Sequence, residues 1–143
     1  MLGDLREKLE PVGRLEVLDE VGDKALDYFA SLSEDELTDD ELFRRSKALG
    51  QIGEVRIAQG NLDEAMHSFQ ESKTLASGLV SRDPANAEWQ SGLGTVHFWV
   101  GYVHWLRGEL DRAEVEFKAY LASSERLVTL DAANPDWQME VAY

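Results

Sequence analysis

The feature that most constrains this 143-residue chain is a recurrence at a fixed offset of 48 residues. The segment Asp83-Pro84-Ala85-Asn86-Ala87-Glu88-Trp89-Gln90 returns as Asp131-Ala132-Ala133-Asn134-Pro135-Asp136-Trp137-Gln138. The same offset pairs Gly53 with Gly101, Gly60 with Gly108, Leu62 with Leu110, Asp63 with Asp111, Ala65 with Ala113, Phe69 with Phe117, and Leu79-Val80 with Leu127-Val128. Like units fold alike, and each buries its apolar face on the next, so a recurrence of this size predicts a stacked array of supersecondary units.

Each unit reads as two helices. Leu62, Ala65, Met66, Phe69, Ala76, Leu79 and Val80 fall at helical spacing, as do Leu110, Ala113, Phe117, Leu121, Leu127 and Val128. Gly60-Asn61 and Gly108-Glu109 break the pattern between helices, and a glycine just past a helix end can take the left-handed cap. Asn61 with Glu64, and Thr38 with Glu41, read as capping boxes, while Asn86 and Asn134-Pro135 are start signals in the inter-unit spacers. The predicted organisation is an N-terminal helical segment over 1–38, unit one over about 39–86, unit two over about 87–134, and a partial third unit over 135–143. In the N-terminal segment Leu5, Leu9, Val12, Leu15, Leu18, Leu26 and Phe29 form an amphipathic pattern that Pro11 ends or kinks.

With Gly53, Gly60, Ala65 and Phe69 repeated as Gly101, Gly108, Ala113 and Phe117, the chain resembles the tetratricopeptide (TPR) family. The resemblance implies an all-α fold of helical hairpins stacked into an α-solenoid. In it a small residue in the first helix and an alanine in the second let the pair approach closely, and an aromatic wedges between neighbours. The period of 48 departs from the usual unit of about 34 residues, and longer helices plus the spacer absorb the difference. Long units of this kind are similar to those of large bacterial signalling proteins, where they follow a kinase, TIR or caspase-like domain. The family implies a protein–protein interaction or scaffolding module with no catalysis of its own.

Composition narrows the partners. With 28 Asp and Glu against 14 Lys and Arg the net charge is −14, which disfavours nucleic acid phosphates and anionic lipid. Residues 1–41 hold 14 of the acids, six of them between Ser33 and Glu41; these read as a solvated, capped face. There is no cysteine, which removes thiolate metal sites and cysteine nucleophiles. The longest apolar run, Phe98 to Val103, is far short of the roughly 20 residues of a membrane span, and the opening MLGDLREKLE lacks a signal-peptide core. A cytoplasmic domain without cofactor or metal is expected. His97 and His104 stand two turns apart, about 10 Å along a helix axis, too far to share one ion.

The candidate site lies on the helix from Ala87 to Arg107, which carries two apolar stripes where a surface helix needs one. Trp89, Leu93, Val96, Val100 and Val103 suit the core, whereas Phe98, Trp99, Tyr102, Trp105 and Leu106 fall on another side. By the family resemblance, this second set and Thr95 line the concave groove, where unit one has the smaller and more polar Lys47, Gly50, Gln51, Glu54, Ile57 and Ala58, with Lys47, Gln51 and Glu54 as its polar edge. Docking of a peptide or helix would desolvate Phe98, Trp99, Tyr102 and Trp105, each worth on the order of 2 kcal/mol. The family's clamp for a C-terminal carboxylate uses Lys and Asn; Gly50, Glu54, Phe98 and Tyr102 occupy its positions, so chaperone-tail binding is not expected. Three alternatives stay open: burial of the second stripe by the protein itself, the N-terminal helix included; homo-oligomerisation through the groove or through an uncapped C-terminal end; and a small-ligand sensor using the aromatic groove. As Tyr143 falls two turns into a third unit, the chain is expected to be a fragment of a longer array or to dimerise through that end, where Phe117, Tyr120, Leu121 and Leu127 would lie incompletely covered.

Overall fold

The computed structural model describes residues 36–131 and, ahead of them, Glu20, Asp23, Lys24, Leu26, Asp27, Tyr28 and Ser31. The partial third unit and most of the expected N-terminal segment lie outside the described residues. Four long helices follow one another: α1 (Asp39–Ala58), α2 (Leu62–Arg82), α3 (Ala87–Leu106) and α4 (Leu110–Leu130). Among the described residues there is no strand. The fold is all-α, with α1 packed on α2, α2 on α3 and α3 on α4, while α1 and α3 approach each other more loosely.

The turn chemistry explains where the helices stop. Gly60 and Gly108 take φ of 78° and 77°, the left-handed region that suits glycine because a Cβ there crowds the following carbonyl. This conformation lets the Asn61 amide reach back to the Arg56 carbonyl at 2.8 Å and the Glu109 amide to that of His104 at 2.9 Å, an identical closure one period apart. At the start of α1, Thr38 Oγ1 accepts from the Glu41 amide at 3.2 Å and donates to Glu41 Oε1 at 3.1 Å, with Asp39, Asp40 and Glu41 at the positive end of the helix. Asn61 does not form the expected capping box. Its amide is committed to the hairpin turn, and its ψ of 77° leaves the side chain without a cap hydrogen bond.

The repeated spacer phrase is a set of bonds that joins the hairpins. Asp83 Oδ1 accepts from the Ala85 amide at 3.2 Å, Asn86 Oδ1 caps α3 by accepting from the Trp89 amide at 3.1 Å, and the buried Gln90 donates Nε2 to the Pro84 carbonyl at 3.0 Å. Trp89 then packs against Phe43 and Leu79 on one side and against Ala76, Val80 and Leu93 on the other. Asp83, Pro84, Ala85, Asn86, Trp89 and Gln90 thus all take part in passing the chain from α2 to α3.

Inside each hairpin the close approach rests on a ring over a glycine. A Cβ built on Gly53 would lie 2.4 Å from the Phe69 ring, and one on Gly101 would lie 2.8 Å from the Phe117 ring. Phe69 is fully buried, packed with Ala65, Val96, Val100 and Val103 into the central core. Between α1 and α2 the approach is also sealed by polar groups: Ser46 Oγ donates to the Ser72 carbonyl at 2.9 Å and Ser72 Oγ to that of Ser46 at 2.6 Å, both side chains buried. Unit two has Gly94 and Tyr120 at those positions, and its contact is made instead by Gly94 against Ser123.

Gly53→Ala and Gly101→Ala should therefore differ although they occupy equivalent positions. Phe69 has no space to retreat, so overpacking outweighs the gain in helix propensity and Gly53→Ala should lose about 1–2 kcal/mol. Phe117 is only half-buried and has more room to move, although Glu116 Cβ would also lie 3.2 Å away, so Gly101→Ala should lose less than Gly53→Ala. Urea denaturation of the two variants measures the difference.

Candidate functional site

The two stripes of α3 separate in the structure as they do on paper. Leu93, Val96, Val100 and Val103 are buried and face Ala65, Phe69, Ala76 and Val80 of α2. The second stripe is a chain of aromatic rings running from the core to the surface. Trp99 stacks on buried Phe69 with centroids 5.8 Å apart and planes 5° from parallel. Tyr102 meets Trp99 edge to face at 5.7 Å and stacks on Trp105 at 5.9 Å. Phe98 touches Trp99 at 5.5 Å and Tyr102 at 6.3 Å, and reaches across to Phe117 and Tyr120 of α4 at 6.0 and 5.6 Å. Such pairs add about 0.5–1.5 kcal/mol each beyond the area they bury, so the rings hold one another in place even where they meet water. Phe98 remains 38% exposed and Trp105 54%.

A groove of about 330 Å³ lies between α1 and α3. Lys47, Gln51 and Glu54 form its α1 wall, Thr95 and Trp99 its α3 wall, and Ser46 and Ser72 lie at its base. Gly50 and Gly92 also line it. Gly92 stands where the preceding unit has Arg44, and a side chain there would begin 3.0 Å from the Phe43 ring, so the missing side chain keeps the groove open. Four of the seven expected site residues, Lys47, Gln51, Glu54 and Trp99, are brought together here. Phe98, Tyr102 and Trp105 are not in the groove: they continue the ring chain around α3 toward α4. The reason is angular. Successive residues of a helix are 100° apart, so Phe98 and Tyr102 take the positions on α3 that Gly50 and Glu54 take on α1, which is the side facing away from the preceding unit.

Lys47 holds its Nζ 5.3 Å from the centre of the Phe43 ring, a cation–π contact at one end of the groove. Glu54 at the other end has neither a hydrogen bond nor an ion pair among the described residues. Burial at the groove wall pushes its carboxyl above the usual range, because water is removed with no cation in its place. Phe43, Gly92 and the two serines were not among the expected site residues. Gly92 had a legible signal, since it breaks the match with Arg44.

His97 and His104 have separate partners. His97 Nδ1 lies 2.6 Å from Glu116 Oε2, and Lys73 Nζ is 2.8 Å from Glu116 Oε1, so one half-buried carboxylate ties α2, α3 and α4. His104 Nδ1 is 3.4 Å from Glu109 Oε1. Among the described residues no three His, Asp or Glu side chains gather as a metal site, and no helix is long and apolar enough to cross a membrane. Comparison with protein-family models, with curated proteins and with solved structures finds no match to this chain.

Burial alone would raise the Glu116 carboxyl, but hydrogen bonds from His97 and Lys73, and then their charges, hold it at about 2. Its folded value is thus depressed below that of the unfolded chain. The stability it supplies is complete above about pH 4.5 and is lost as pH falls toward 2. The loss should be at most about 2 kcal/mol, since solvent screens the exposed edge of the cluster. Chemical denaturation at pH 6 and pH 3 checks this: Glu116→Gln should flatten that part of the pH dependence.

Proposed function

We propose that this chain is a helical-repeat domain of the tetratricopeptide type that binds a peptide or helix of a protein partner between its units, has no catalysis of its own, and serves within a larger bacterial signalling protein. The observation that carries this proposal is the groove between α1 and α3, with a polar wall of Lys47, Gln51 and Glu54 facing Thr95 and Trp99. Its support from packing is the recurrence, one period apart, of the ring-over-glycine contact and of the hairpin closure, the two devices by which stacked hairpins keep a constant geometry. The bacterial signalling context rests on the sequence resemblance alone.

Homo-oligomerisation has an observation of its own. The positions on α2 that α3 covers, Ala76, Leu79 and Val80, are buried, whereas on α4 Val128 is 52% and Leu121 57% exposed. Apolar side chains left exposed two turns apart on one helix favour association.

Filling the groove separates the two. Gly50→Phe places a ring in open space, since a Cβ at Gly50 meets only Ser72 Oγ, at 3.8 Å. Peptides selected from a displayed random 12-residue library should lose at least about 10-fold in affinity for the variant, with helicity and melting temperature unchanged. Equal affinity of the variant would refute the groove as the site. A light-scattering mass that rises with concentration, and falls back to monomer on Leu121→Glu, would support assembly through α4.

A further inference from the structure

The groove carries both Lys47 and Glu88 toward its Phe43 end and a lone carboxylate, Glu54, at the other, and this selects what can lie in it. On α1 it runs from Phe43 to Glu54, about 16 Å of helix at 1.5 Å per residue, which matches about five residues of extended chain. Lys47, near the Phe43 end, is already held over an aromatic ring. Glu54, seven residues further, has neither a hydrogen bond nor an ion pair among the described residues. The nearest cation on its own helix, Arg56, is engaged by Asp23 at 2.8 Å and Glu64 at 3.4 Å. Trp99 lines the same groove and stacks on Phe69, whose ring lies against Gly53, the residue before Glu54. Tyr102 meets that indole edge to face.

A carboxylate without a counter-charge, partly stripped of water and beside an indole, is complementary to a cation. A guanidinium or ammonium would supply the missing charge-assisted hydrogen bonds and find a polarisable ring at the same time. An acidic or neutral side chain would leave Glu54 less hydrated than before and uncompensated. The net charge of −14 adds long-range attraction for a basic ligand.

We propose that the Glu54 end of the groove is a subsite for a basic side chain, arginine or lysine, carried by an extended peptide of the protein partner. This rests on the groove being the docking site. Glu54 forms the ion pair and Trp99 provides the apolar wall for the side-chain stem.

The test uses displayed hexapeptide libraries with one central position fixed as Arg, Lys, Gln or Glu, followed by anisotropy titration of labelled peptides recovered from each. Peptides from the Arg and Lys libraries should bind, and replacing that residue by Gln should weaken them about 10-fold, the size expected for one charge-assisted hydrogen bond. Glu54→Gln should cost a similar factor, the two changes together should cost no more than either alone, and Glu54→Lys should shift preference to the Glu library. Glu54 is exposed on one side, and unchanged circular dichroism of the Gln and Lys variants would exclude misfolding as the cause. If recovered peptides are lost on Gly50→Phe yet bind equally with Arg or Gln and are insensitive to Glu54→Gln, the subsite is overturned while the groove stands. If no peptide is retained, or Gly50→Phe changes nothing, both are overturned.

Discussion

Everything else in the described structure is arranged around a phenyl ring lying where a helix has no side chain. Phe69 can sit against the backbone of α1 because position 53 is glycine, and this sets the distance between α1 and α2. At that distance Ser46 and Ser72 exchange hydrogen bonds with each other's backbone, and the face of α2 that carries Ala76, Leu79 and Val80 is turned toward α3. A larger residue at 53 would separate the helices and loosen both contacts. The same ring-over-glycine contact at Gly101 and Phe117 repeats the spacing in the second hairpin, although there the ring retains some exposure.

The apolar character of α3 follows from its position. α1 contacts α2 closely and α3 only loosely, and it can afford Lys47, Gln51 and Glu54 on its exposed side. α3 is packed by α2 on one side and by α4 on the other, so a single stripe would not suffice. Phe98 serves both the contact with α4 and the exposed surface, and Trp99 links it to the core through Phe69. The groove is the space left where α1 and α3 stand beside each other with glycine at Gly50 and Gly92.

Much of this was legible in the order of residues. The offset of 48 located both hairpins; the glycines after α1 and α3 predicted the left-handed turns, and Thr38 and Asn86 predicted two caps. Asn61 was misread because the capping box is a local pattern, whereas its amide belongs to a turn closed from Arg56. Within the site, helical spacing correctly separated the two stripes of α3, but it combined residues that face different neighbours. Lys47, Gln51, Glu54 and Trp99 share a groove; Phe98, Tyr102 and Trp105 do not line it.

The sequence by itself determined the helices, their ends and their pairing, because these depend on local dihedral preferences and on apolar residues repeating every three to four positions, which a linear pattern records. The ring-over-glycine contacts were not among its readings: the resemblance placed the aromatic between neighbouring units, and only the packed helices show Phe69 lying against Gly53 of its own hairpin. Only the tertiary structure decided that, among the described residues, Glu54 stands without a counter-charge while Arg56, two residues away, is engaged by two carboxylates, and that Gly50 and Gly92 together leave a groove. Both depend on which side chains meet across separate helices at distances of a few ångströms, and the rotation of each helix about its axis is set by packing against all of its neighbours at once.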